Sequence, residues 1–72
     1  MHFVKSLRNQ DQTQTRRYSI NTTADGWEVQ EERDSAVVKK VRYQDWHRVE
    51  RARRSISIEL DALRSVGWRE EN

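Results

Sequence analysis

Cysteine and proline are both absent from the chain, and glycine occurs only at Gly26 and Gly67. Without cysteine, neither a disulfide framework nor a thiolate zinc site can support the fold. Without proline, a helical pattern can run uninterrupted. Long apolar runs are missing too: no stretch approaches the roughly 18 to 20 residues of a membrane span, and the N-terminus has no apolar signal core, so a cytoplasmic location is expected. Nor does one charge sign dominate. Fourteen Lys and Arg stand against 12 Asp and Glu, and a net charge of +2 is too mild to imply nucleic acid from the overall field.

What remains is 72 residues, one small domain in which charged residues make up 36% and hydrophobic ones 33%. That balance lies close to the limit of what still collapses, and a chain this short buries a smaller fraction of its surface than a larger one. Folding therefore depends on how the apolar residues are patterned. Self-association is the most accessible source of further buried surface.

The pattern predicts arm, strand, strand, strand, helix. Residues 1–15 begin with Phe3, Val4 and Leu7 and then turn polar, as a flexible N-terminal arm would. From Arg16 the period is two: Tyr18, Ile20 and Thr22 alternate with Arg17, Ser19 and Asn21. Thr23-Ala24-Asp25-Gly26 supplies a tight turn, with Gly26 available for a positive φ. Trp27, Val29 and Glu31 continue the alternation, and a second polar turn falls at Arg33-Asp34-Ser35. A third strand spans about Ala36 to Tyr43, with Val37, Lys39, Val41 and Tyr43 inward and Ala36, Val38, Lys40 and Arg42 outward. Lys39 is out of place among the inward positions, since a buried unpaired ammonium is costly; its stem is expected along Trp27. On the outward face, Glu28 and Glu32 would meet Lys40 and Arg42 across an antiparallel pair.

Asp45 is a favoured N-cap, and beyond it Trp46, Val49, Ala52, Ile56, Leu60, Leu63 and Val66 recur at helical spacing. Gly67 fits the left-handed position after a helix, and Trp68 falls where the chain folds back near Leu63. The expected core is Tyr18, Ile20, Trp27, Val29, Val37, Val41, Tyr43, Trp46, Val49, Ile56, Leu60 and Leu63, with Val66 and Trp68 at its margin. The tail, residues 69–72, is expected to fray.

No motif fixes a chemistry. His47 and Glu50 lie three apart on the helix, but the familiar di-metal pattern places Glu before His and draws further ligands from other helices. No catalytic residue, metal or cofactor is expected, and the chain is read as non-enzymatic. Charge is nevertheless uneven: between Lys39 and Arg54 seven Lys or Arg stand against Asp45 and Glu50. Candidate anion or nucleic-acid contacts are Lys39, Lys40, Arg42, Arg48, Arg51 and Arg54. The plain alternative is a solvated helix face whose long stems cover apolar surface. Opposite the core stripe, Ile58 stands with the small neighbours Ser55, Ala62 and Ser65 and with Arg51 and Arg54; these form a candidate partner or dimer face.

Tyr43 to Ala52 (YQDWHRVERA), Leu63 to Trp68 (LRSVGW) and Asp25-Gly26-Trp27 together resemble short uncharacterised bacterial or phage-like proteins that pair a β-meander with a C-terminal helix. The resemblance covers about residues 16–68 and implies a fold but no activity. The order of elements is also similar to single-stranded DNA-binding coactivator domains, which have more strands and exposed stacking residues. The expected fold is α+β: residues 16–68 form a three-stranded antiparallel meander covered on one face by one long C-terminal helix. The expected role is a protein-interaction module, homodimeric, with weak nucleic-acid binding through the basic surface as the alternative.

Overall fold

The computed structural model describes residues 2–71 and places them in an α+β fold: an antiparallel sheet under a C-terminal helix. The strands are β1 (His2–Arg8), β2 (Thr15–Thr23), β3 (Gly26–Arg33) and β4 (Ala36–Tyr43), followed by α1 (Trp46–Ser65) and the two-residue β5 (Arg69–Glu70). Their order across the sheet is β4-β3-β2-β1-β5.

Four main strands replace the three expected, because the first half of the supposed arm is β1. It pairs antiparallel with β2, placing Phe3 opposite Ile20, Lys5 opposite Tyr18 and Leu7 opposite Arg16. Phe3, Lys5 and Leu7 thus share the core face, and Leu7 is fully buried. The polar run after β1 is a loop built by one side chain. Asn9 Oδ1 accepts from the backbone N–H groups of Thr13 and Gln14, at 2.8 and 3.0 Å, and Gln12 adopts φ 60°. The tail is ordered as well, since Arg69 and Glu70 pair with Arg8 and Leu7, and the Glu71 N–H donates to the Ser6 carbonyl at 2.7 Å. Met1 and Asn72, at the ends of the expected arm and tail, lie outside the described residues.

Two short turns build the rest of the sheet. Ala24-Asp25 joins β2 to β3, and Asp34-Ser35 joins β3 to β4 with positive φ at both residues (52° and 71°), the signature of a primed hairpin turn. Asp34 also accepts from the Thr15 N–H at 2.9 Å, tying this turn to β2. Gly26 does not need the positive φ anticipated for it. A Cβ there would lie 2.2 Å from the Tyr43 carbonyl oxygen, so close approach of β4 is what calls for glycine.

A bulge corrects the reading of β4. Glu31 faces Lys39 but Glu32 faces Val37, which leaves Val38 as an extra residue. Below the bulge the faces exchange: Val37 joins Glu32 and Arg17 on the outer face and is 51% exposed instead of entering the core. Lys39 stays on the inner face, opposite Glu31 and not beside Trp27. On the outer face Glu28 meets both Arg42 (3.2 Å) and Lys40 (3.9 Å), while Glu32 is approached by Arg17 (3.9 Å).

The helix begins and ends as the sequence indicates. The Asp45 carboxylate accepts from the His47 N–H at 2.9 Å. At the other end the Trp68 N–H donates to the Leu63 carbonyl and the Gly67 N–H to that of Arg64, each at 3.1 Å, with Gly67 at φ 105°: a Schellman stop. Between the caps, Val49, Ile56, Leu60 and Leu63 join Leu7, Tyr18, Ile20 and Val29 in the core. Trp27, Tyr43 and Trp68 pack partly buried against it. Trp46, expected inside, and Val66, expected at the margin, are exposed at the helix ends, although Trp46 still leans on Trp27 with ring centroids 5.3 Å apart.

Candidate partner-binding groove

The helix starts where β4 ends and stops where β5 returns to β1. Tyr43 lies at one end of β4, and Leu7 and Arg8, which receive β5, lie at the opposite end of β1. Consequently α1 crosses the sheet from corner to corner, and its backbone passes over neither of the two remaining corners. At one of them Phe3 is covered by the Arg53 guanidinium, 6.0 Å from its ring centroid. The other, between α1 and the bulged part of β4, is open.

That open corner is a groove of about 450 Å³, within the range of sites that hold a ligand or a few side chains. Val29, Val41 and Tyr43 line its sheet side, Ala52, Ser55 and Ile56 its helix side, and Glu31, Glu59, Lys39, Arg48 and Arg51 its charged rim. Each acid already has a partner outside the groove: Glu31 pairs with Arg33 at 3.0 Å and Glu59 with Arg16 at 3.2 Å. No ion pair reaches Lys39, Arg48 or Arg51 among the described residues. The surplus charge of the groove is therefore positive.

Tyr18 also lines the groove, and its buried hydroxyl lies beside the Arg16 guanidinium and the Glu59 carboxylate without a well-aligned hydrogen bond among the described residues. An unsatisfied buried hydroxyl costs free energy that a bound acceptor or donor would recover. Burial pushes the phenol above the ordinary tyrosine value; the Arg16 guanidinium acts in the other direction, and the Glu59 carboxylate adds to the rise. The phenol therefore remains neutral and able to donate.

The six candidate anion contacts do not form one surface. Lys39, Arg48 and Arg51 meet at the groove, while Lys40 and Arg42 stand on the outer face beside Glu28. Arg54 lies with Glu50, Arg53, Ser57 and Ile58 on another side of the helix. No match was found for this chain among protein-family models, curated proteins or solved structures. Its functional reading rests on its own chemistry.

The face around Ile58 is also divided. Arg51 and Ser55 belong to the groove wall, whereas Ile58, Ala62 and Ser65 are exposed on the helix and Val66 joins them, two turns beyond Ile58. Ile58 and Val66 are 71% and 70% exposed. The Ser65 hydroxyl donates to the Ala62 carbonyl at 2.7 Å, so it is already satisfied within the helix. His47 is exposed, and no group of three or more His, Cys, Asp or Glu residues is placed to hold a metal among the described residues. Among the same residues no helix is long and apolar enough to cross a membrane.

Sequence reasoning placed Tyr18 in the core and missed its role in the groove. Nothing in its period-two neighbours signals a hydroxyl at the wall of a groove. The bulge, which keeps Lys39 on the inner face while turning Val37 away, also left no sign in the run Ala36-Val37-Val38.

Proposed function

We propose that this chain is a small non-enzymatic protein-interaction module, acting in the cytoplasm, that docks its partner in the groove between β4 and α1. The observation that carries the reading is the conjunction of three cations without an ion pair among the described residues, Lys39, Arg48 and Arg51, with the apolar floor of Val29, Val41 and Tyr43 at an uncovered corner of the sheet. Guanidinium groups offer planar, directional donors to carboxylate, and the floor adds apolar contact. Nucleic acid would draw on the same cations. It would also need a continuous basic track, and here Lys40 and Arg42 are turned to the other face and engaged with Glu28.

The test is an NMR titration of the isotopically labelled protein with unstructured peptides spanning acidic to basic net charge, and with a single-stranded oligonucleotide at two salt concentrations. Saturable shifts at Lys39–Tyr43 and Arg48–Ser55 with any peptide support the module. A response to the oligonucleotide alone, fading steeply with salt, would replace it with the nucleic-acid reading.

A second copy is the occupant favoured for the helix face, because Ile58 and Val66 stand exposed two turns apart with Ala62 between them. Ile58→Glu is expected to turn a dimer into a monomer in solution sizing. A wild type that is monomeric at high concentration dismisses the assembly altogether.

A further inference from the structure

We infer that the partner is an extended acidic segment that adds as a strand to the free edge of β4, with its inward side chains entering the groove. The inference rests on the docking reading above and names the chemistry of the partner.

Strand addition requires an open edge, and β4 has one: among the described residues it pairs with β3 alone. Above the bulge, Lys39 to Tyr43 run in regular register with Glu31 to Trp27, giving five residues of straight edge. Main-chain groups on such an edge supply affinity, and alternate side-chain positions supply selectivity.

Charge then decides which strand can lie there. Between Ala36 and Tyr43 the strand carries Lys39, Lys40 and Arg42 and no acid. Pairing β4 with β4 of a second copy would bring these cations face to face, and like charges across a strand pair are destabilising. The lysines and the bulge thus guard the edge against self-association, a usual task of such features. The same features attract an acidic strand. Its inward carboxylates would face Lys39, Arg48 and Arg51, while the carboxylates already in the groove are held by Arg33 and Arg16 and repel it less.

The probe is an eight-residue peptide alternating glutamate and threonine, capped at both ends. It is compared with its glutamine-for-glutamate counterpart and with the acidic peptide N-methylated at alternate residues, which blocks strand pairing on one side. The acidic peptide is expected to bind about tenfold or more tightly than the glutamine peptide, to slow exchange of β4 amides, and to lose about tenfold in affinity with Arg48→Ala or Arg51→Ala. Both arginines are exposed, so these variants should keep the wild-type melting temperature, which is checked first. Equal binding of the acidic and glutamine peptides would overturn the acidic partner while leaving the module standing. Undiminished binding of the N-methylated peptide would overturn strand addition. Absence of binding by any peptide, or shifts confined to Ile58–Val66, would remove the docking reading itself.

Discussion

Leu7→Ala is expected to destabilise the fold by about 2–5 kcal/mol, the usual cost of truncating a fully buried leucine when its surroundings relax only partly. Total stability for 72 residues is on the order of 4–11 kcal/mol, so the variant would lose a large share of it. At about 3 kcal/mol, the melting temperature of a domain this size should fall by roughly 12–24 °C. Thermal unfolding followed by circular dichroism and by fluorescence of Trp27, Trp46 and Trp68 reads the effect, and coincidence of the two signals tests whether unfolding is two-state.

Val4→Ala is the internal control. Val4 belongs to the same strand but lies on the outer face, opposite Ser19, so its truncation should cost under about 1 kcal/mol. The contrast between Val4 and Leu7 is a test of alternation and not merely of hydrophobicity. If Leu7→Ala shifts stability by less than about 0.5 kcal/mol, or if both variants behave alike, β1 is not docked as a strand and the sheet has three main members after all.

Tyr18→Phe should be neutral or stabilise by about 1 kcal/mol in chemical denaturation, because the buried hydroxyl makes no well-aligned hydrogen bond among the described residues; a loss above about 1 kcal/mol would reveal a bond to Glu59 or Arg16 there. The Glu70 carboxyl lies below its ordinary value of 4.5, first through its hydrogen bond and charge contact with Lys5 and then through Arg64. Its contribution to holding β5 is thus fully present above pH 4.5 and fades as the pH falls through the depressed value; in a carboxyl NMR titration Lys5→Ala should raise the midpoint, and an unmoved midpoint would refute the assignment. Arg16→Ala should weaken the acidic peptide although Arg16 does not line the groove, since it leaves Glu59 unpaired on the rim; unchanged affinity by calorimetry would mean that Glu59 is already screened by solvent.

The helix was legible to the residue at both ends because capping is local chemistry: Asp45, Gly67 and Trp68 sit at fixed offsets from the bonds they make. Two hairpins were legible for the same reason. β1 was not, since Val4 and Lys5 blur the alternation of Phe3 and Leu7, and Asn9, which organises the following loop, looks in sequence like any polar residue of a linker. In Ala36-Val37-Val38 no polarity marks a face, so the bulge could not be read and Val37 was assigned inward. Helical periodicity extended the stripe to Trp46 and Val66, which lie at the ends of α1 and are exposed. The cations of the site were visible as a cluster, but which of them share a groove depends on that crossing.

The crossing in turn depends on the segment that promised least. Trp68 packs against the core with the Arg16 guanidinium 5.2 Å from its ring centroid, and Arg16 reaches Glu59 at 3.2 Å. Beyond it, Glu70 joins Lys5 on β1 at 3.1 Å and Arg64 on α1 at 3.3 Å, while Arg8 pairs with Glu71. Each exposed pair contributes little alone. Together with the main-chain bonds of β5 they fix the end of α1 over β1, at the far side of the sheet from β4. A helix of 20 residues, about 30 Å long, pinned near β4 at Asp45 and over β1 at Gly67, cannot also lie along β4. The open corner is therefore a consequence of the Schellman stop and β5, and Arg16 connects that stop directly to the charge balance of the groove.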